Sequence, residues 1–224
     1  MSVSRQFLEF ALQCGALSFG DFTTKSGRNT PYFFDAGRFD RGSTLCKLAR
    51  FYAQTLADAR AKGQVRFDML FGPAYKGIAL ASSTAVALTE LDLDVPFSYN
   101  RKERKDHGEG GDLVGAPLRG RVMIVDDVVT DGAAKREALE LIRDHAAQPA
   151  GVVIMLDRME RTGAEGKLSA RSAVQEFEHT TGVPVIPIAN LDDLISLLRS
   201  DLPLAAAARP HLASIEDYRQ RYGT

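Results

Sequence analysis

Arg121-Val122-Met123-Ile124-Val125-Asp126-Asp127-Val128-Val129-Thr130-Asp131-Gly132-Ala133-Ala134 is the run from which the fold can be read. Residues 122–125 are apolar and β-prone, as a strand covered on both faces must be. Two adjacent carboxylates follow, then a loop of small residues, then a helix aligning Ala134, Ala138, Leu141 and Ile142 along one face. Such a loop sits at the carboxyl end of a strand, where open α/β sheets bind ligands. Its backbone N–H groups, beside a helix N-terminus, suit a phosphate. The two acids next to an anion site require partners of their own. Sugar hydroxyls would serve, as would a magnesium ion held by water and substrate. The run also suits a plain strand-to-helix turn capped by Asp, although a cap needs one acid and not a doublet.

On either side of this run, strands and helices alternate. Strands are predicted at 67–71, 95–99, 152–156 and 185–189, and helices at 44–61, 77–91, 173–181 and 191–198. The helix after the acid pair is expected to run to about His145. Alternation of this kind predicts an α/β fold with a central, mostly parallel sheet flanked by helices. Residues 1–40 stand apart, with an amphipathic helix over 7–13 and then aromatics broken by turn residues over 19–35, a pattern of short strands or a hairpin. The chain is expected to form a single domain over 1–224, with an N-terminal region 1–40, an α/β core 41–200 and a tail 201–224. The alanine run 205–208 reads as a helix fragment or connection. In the tail, Ile215, Tyr218 and Tyr222 form an apolar stripe on a terminal helix, with packing on its own subunit as the default and a dimer contact as the alternative.

The bulk properties set bounds. The 224 residues are 45% hydrophobic and 25% charged, ordinary for a soluble globular protein with a substantial core. A net charge of -1 argues against a dedicated nucleic-acid binder. No apolar run approaches a membrane span, and the polar-interrupted N-terminus does not read as a signal peptide. Cys14 and Cys46 have no metal-ligand spacing and fit reduced, buried thiols in a cytoplasmic protein. His145, His179 and His211 are scattered without ligand spacing. The dinucleotide fingerprint is absent, and 72–77 approaches the Walker A pattern without matching it.

Three further runs carry candidate chemistry. In Phe71-Gly72-Pro73-Ala74-Tyr75-Lys76-Gly77, a strand ends and a helix begins. Gly72 and Gly77 let the backbone approach a ligand, and Lys76 adds a point charge for a phosphate. A connecting turn with a solvated lysine is the equal alternative. Between Tyr99 and Asp112, cations and acids interleave with Gly108, Gly110 and Gly111. This suits a mobile flap closing over an anionic substrate, with a solvated loop as the alternative. Finally, Lys25-Ser26-Gly27-Arg28 precedes Pro31-Tyr32-Phe33-Phe34. A cation near aromatics suits a flat anionic ring, though Phe33 and Phe34 point to opposite faces of a strand, so one of them belongs to the core.

The acid-pair run resembles the signature of the type I phosphoribosyltransferases. With the other three runs in order, the similarity extends from about Phe7 to about Asn190 and is strongest to the orotate-using, pyrimidine-pathway branch of that family. It implies the type I phosphoribosyltransferase fold, with residues 1–40 as an N-terminal hood. It implies transfer of the phosphoribosyl group of phosphoribosyl pyrophosphate (PRPP) to orotate, giving orotidine 5-phosphate and pyrophosphate in UMP biosynthesis. Mg2+ is the implied cofactor, held mainly by PRPP and water and by no direct protein ligand. A cytoplasmic homodimer is implied, the flap of one subunit reaching the other's site, with no nucleic-acid or membrane partner.

Carried over by position, Lys25, Phe33, Phe34, Thr130 and Arg158 would surround orotate. Tyr75, Lys76, Arg101, Lys102, Lys105 and His107 would meet the pyrophosphate and phosphates. Asp126 and Asp127 would hold the ribose hydroxyls, and the loop Val128, Val129, Thr130, Asp131, Gly132, Ala133 and Ala134 would take the 5-phosphate. Lys105, His107, Asp126 and Asp127 are the implied catalytic set. Electrostatic stabilisation of a cationic ribose and an anionic leaving group suffices, because orotate brings its own nucleophilic nitrogen. The loop departs from the family's usual Thr-Ala-Gly-Thr or Thr-Ala-Gly-Ser: Ala133 lacks the hydroxyl and Asp131 adds a charge. The sequence also admits a transferase for another base, a PRPP-sensing regulator, and an inactive paralogue; Lys25 and Arg158 favour an acidic ring.

Overall fold

A computed structural model describes residues 1–24, 27–105, 111–129, 132–163, 167–200 and 203–224, apart from the side chains of residues 104, 105, 133 and 204. Helix α1 (Val3–Gln13) starts where the Ser2 hydroxyl accepts from Arg5 N at 3.3 Å, and it buries Phe7, Leu8, Phe10 and Ala11. Strands β1 (Leu17–Thr23) and β2 (Asn29–Phe34) form an antiparallel hairpin. After α2 (Gly42–Ala61) come β3 (Met69–Gly72), α3 (Lys76–Thr89), β4 (Phe97–Lys105), β5 (Gly111–Gly115), β6 (Arg121–Val125) and α4 (Ala133–Asp144). Then follow β7 (Gln148–Asp157), α5 (Ala173–Thr181), β8 (Val185–Asn190), α6 (Leu191–Arg199), α7 (Pro203–Ala206) and α8 (Leu212–Tyr222).

The larger sheet has the order β5-β4-β3-β6-β7-β8, parallel throughout except for β5, which runs antiparallel to β4. Alternate residues of the central strands enter opposite cores. Leu70, Met123, Val125 and Val153 face α1, α2 and α3, whereas Phe71, Val122, Ile124 and Val152 face α4 and α5. Each such fully buried side chain contributes about 1.5–3 kcal/mol by leaving water. The chain leaves β3 toward β4 on one side and leaves β6 toward β7 on the other. The crevice between the carboxyl ends of β3 and β6 is therefore the switch point at which open sheets bind ligands.

Several expectations are corrected. The polar run after residue 99 is not all loop: β4 continues through Lys105 and pairs with β5, Ser98 opposite Gly115 and Asn100 opposite Leu113. β4 lies next to the edge strand β5, and its outer part carries Lys102 and Glu103 exposed, so the ladder forms there without an apolar period, and charge resists edge-to-edge association. On α4 the buried face is Lys135, Ala138, Leu139 and Ile142, with Ala134 exposed. The thiols are not buried: Cys46 is exposed and Cys14 half-buried. The tail, by contrast, follows the expected packing on its own chain, with Ile215 and Tyr218 in the core.

Candidate active site

The acid pair is held from four directions. Asp126 and Asp127 extend the β6 ladder beyond its end, Asp126 N donating to Val153 O at 3.1 Å and Asp127 O accepting from Met155 N at 2.9 Å. The Tyr52 hydroxyl, on fully buried α2 side chain, donates to Asp126 O at 2.7 Å. Asp126 Oδ1 accepts from Asp127 N at 2.9 Å, and Asp127 Oδ1 from Val128 N at 2.8 Å. Their other oxygens meet lysines: Lys135 Nζ lies 2.5 Å from Asp126 Oδ2, and Lys76 Nζ 2.6 Å from Asp127 Oδ2. Burial pushes the Asp126 carboxyl above the usual carboxylate range, and Lys135 opposes that shift. Burial, then Asp126 and Asp127, push the Tyr52 phenol well above its ordinary value, which keeps it a donor.

Lys76 reaches the pair across the switch point, because α3 begins where β3 ends. The glycines of that turn act differently from the sequence reading. A Cβ on Gly72 would fall 2.0 Å from Gly77 O, and one on Gly77 2.6 Å from Pro73 Cδ and 3.0 Å from Val125 O. What they admit is the backbone of each other and of β6, a consequence of how tightly the turn folds back. Ala74 N donates to Asn100 Oδ1 at 2.7 Å, tying the turn to β4, and the Ala74–Tyr75 peptide is cis. Tyr75 projects into solvent.

The other expected residues distribute as follows. Arg101 and Lys102 lie on β4, half-buried and exposed, and Lys105 closes that strand with its side chain outside the described set. Lys25, His107, Thr130 and Asp131 lie outside the described residues. Val128 and Val129 are half-buried after the acid pair, and Ala133 opens α4. Gly132 caps α4 at φ +73, a left-handed conformation suited to glycine.

On the hairpin, Phe33 is exposed beside Phe22 (ring centroids 5.5 Å), and Phe34 packs toward Phe7 at 6.1 Å, the division that strand alternation demands. Arg158 follows β7, at the same sheet edge as the acids. Its Nη2 lies 2.6 Å from Glu160 Oε1, and its guanidinium sits 5.0 Å from the Tyr32 ring centroid. Burial works against the Arg158 charge, but Tyr32 and Glu160 outweigh it, so its pKa is raised. The following loop is tied to the C-terminus, Arg161 N donating to Tyr222 O at 2.8 Å and Thr224 N to Met159 O at 3.1 Å.

The structure thus gathers Lys76, Asp126 and Asp127 in one crevice, with Arg158 on the neighbouring strand end. Sequence reasoning missed Lys135, Tyr52 and Glu160. Lys135 had a signal: it lies in phase with Ala138, Leu139 and Ile142, a cation on an apolar helix face. Among the described residues no group of three or more His, Cys, Asp or Glu could hold a metal, and no helix is long and apolar enough to cross a membrane.

The parallel sheet, its switch point and the paired acids define a phosphoribosyltransferase, and the family described as phosphoribosyl transferase domain matches residues 39–184. Curated relatives include the orotate phosphoribosyltransferases of Janthinobacterium sp. (strain Marseille), 53% identical, and Herminiimonas arsenicoxydans, 54% identical, each over 99% of this chain and 98% of theirs. The crystal structure of orotate phosphoribosyltransferase from Francisella tularensis superposes with a TM-score of 0.82 at 36% identity, covering 98% of this chain and 100% of that one. The chain belongs to the orotate phosphoribosyltransferase family and has the type I phosphoribosyltransferase fold.

Proposed function

We propose that this chain transfers the phosphoribosyl group of PRPP to orotate, yielding orotidine 5-phosphate and pyrophosphate for pyrimidine nucleotide synthesis. The observation that carries the reading is the acid pair at the β3/β6 switch point, with Lys76 across it at 2.6 Å, in a chain about 54% identical to orotate phosphoribosyltransferases over almost its full length.

Cleavage of the C1–O bond of PRPP leaves positive charge on the ribose and negative charge on the departing pyrophosphate. Asp126 and Asp127 hold the ribose hydroxyls and face the cationic sugar. Tyr75, Lys76, Arg101, Lys102, Lys105 and His107 take the pyrophosphate and phosphates. Preorganised charges of this kind stabilise the transition state without a covalent intermediate. Lys76, 62% exposed in its side chain, can swing from Asp127 to a phosphate as the ribose hydroxyls replace it on that carboxylate. Val128, Val129, Thr130, Asp131, Gly132, Ala133 and Ala134 cradle the 5-phosphate with backbone N–H groups. Lys25, Phe33, Phe34, Thr130 and Arg158 surround orotate, the cations opposing its carboxylate.

Mg2+, the proposed cofactor, supplies charge neutralisation on the leaving pyrophosphate. The donor set here would suit an ion carried mainly by PRPP and water: each acid has one oxygen on a lysine ammonium and the other on a backbone N–H. We place the protein in the cytoplasm as a homodimer sharing its flap across the interface. Its single domain has residues 1–40 as a hood, 41–200 as core and 201–224 as tail. Support for one domain comes from the core that α1, α2 and α8 share. The test is the ultraviolet absorbance of orotate with purified protein. Loss that needs protein, PRPP and Mg2+ together is expected; no loss with folded protein would overturn the reading.

A further inference from the structure

We infer that Lys135 is a positioning residue for the transfer reaction, its buried ammonium fixing Asp126 and through it the orientation of Asp127 toward the ribose. The inference rests on the ribose-facing role proposed above for the two acids.

The cluster is a chain of alternating contacts. Lys135, from α4, meets Asp126 Oδ2 at 2.5 Å; Asp126 Oδ1 accepts from Asp127 N at 2.9 Å; Asp127 Oδ2 meets Lys76, from α3, at 2.6 Å. Tyr52, from α2, holds the Asp126 carbonyl from the core side. The two lysines differ in one decisive respect. The Lys76 side chain is 62% exposed and that of Lys135 only 7%. The Asp127 side chain is itself only 14% exposed, so Lys76 leaves when an anionic substrate draws it off and the ribose hydroxyls take its place on that carboxylate. Lys135 has no such exit: separating it from Asp126 would strand a charge in the core on each side.

The division of labour follows. Lys76 is the exchangeable counter-ion and Lys135 the permanent one. Two adjacent carboxylates repel, and burial alone would favour the protonated form of Asp126. With Lys135 in place, Asp126 stays an acceptor for both Lys135 and the Asp127 N–H. That contact orients the peptide from which the Asp127 carboxylate projects. The position is also unusual for its helix, since the other buried residues of α4, Ala138, Leu139 and Ile142, are all apolar. Buried ion pairs generally add little stability over an apolar pair, so a charge at this place points to placement of Asp126 rather than to folding.

The test is a double-mutant cycle of Lys135→Met and Asp126→Asn, read by initial rates with PRPP and orotate varied separately, by calorimetric binding of PRPP with Mg2+, and by melting temperature. Lys135→Met is expected to raise the PRPP KM at least tenfold, with the orotate KM within twofold of the parent. In the Asp126→Asn background the same change is expected to cost less than threefold. Should Lys135→Met fail to fold, Lys135→Gln takes its place in the cycle, keeping a donor without the charge. Equal losses in both backgrounds, or a parallel rise of both Michaelis constants, would overturn the inference. If the parent converts no orotate, the functional reading fails alone, because PRPP calorimetry still reads the coupling of Lys135 to Asp126.

Discussion

Tyr52→Phe removes one oxygen from a side chain that is fully buried, and nothing else. That oxygen donates at 2.7 Å to the carbonyl of Asp126, just beyond the end of β6. Phe fills the same space, so no cavity term enters, and the cost is that of a buried carbonyl left without this donor. Such a loss is worth about 1–3 kcal/mol. In a domain of this size each kcal/mol moves the melting temperature by about 2–4 °C, so a fall of roughly 2–12 °C is expected. Because burial holds the phenol protonated well past its ordinary value, the difference should be constant from about pH 6 to pH 9. The assay is thermal unfolding of both proteins at matched concentration across that range, with PRPP and orotate kinetics alongside. The PRPP Michaelis constant should rise severalfold while that for orotate holds, since the acid pair loses its anchor to α2. A melting temperature within about 1 °C of the parent and an unchanged PRPP Michaelis constant would refute the anchoring role.

Lys105→Ala should lower turnover at least about tenfold, roughly 1.4 kcal/mol of transition-state stabilisation, in steady-state assays at saturating substrate. Replacing Asp131 by Ala together with Ala133 by Thr should lower the PRPP Michaelis constant, by removing a charge and adding a hydroxyl at the phosphate loop. Asp68 pins β3 to β6 through Arg121, with Nη2 to Oδ1 at 2.6 Å and Nε to Oδ2 at 2.9 Å, and its carboxyl is held at about 2 by those hydrogen bonds. A carboxyl depressed in the folded state contributes stability above its unfolded value, near pH 4, and loses it as pH falls toward 2. Asp68→Asn should therefore melt below the parent at pH 6, the two curves converging near pH 2.

Much of this architecture is local and is written in the order of residues along the chain. The four apolar residues before the acids made β6 a strand buried on both faces, and its alternation with helices implied the parallel sheet. The helix at 173–181 matches its expected bounds because Ser172 and Gln175 make a capping box and Gly182 takes the left-handed stop. The hairpin of aromatics also follows from short-range turn chemistry. Where local period vanished, reading along the chain stopped. The charged second half of β4 shows no alternation, and only its partner β5, across the sheet edge, makes it a strand.

The candidate site divides in the same way. Its acids, its loop and Lys76 were visible as residue types in a meaningful order. Their spatial relations were not, because these depend on contacts between distant segments: Lys76 and Asp127 are 51 positions apart, Tyr52 and Asp126 74, Tyr32 and Glu160 128. The clearest case is α4, where Ala138 and Ile142 are buried as the helical period predicts, but Lys135 and Leu139 complete the face in place of Ala134 and Leu141. Helical period alone favours alanine for the buried place. A lysine occupies it because β6 ends in a carboxylate under that turn, and a charge inside a protein is tolerated where its counter-charge is already waiting.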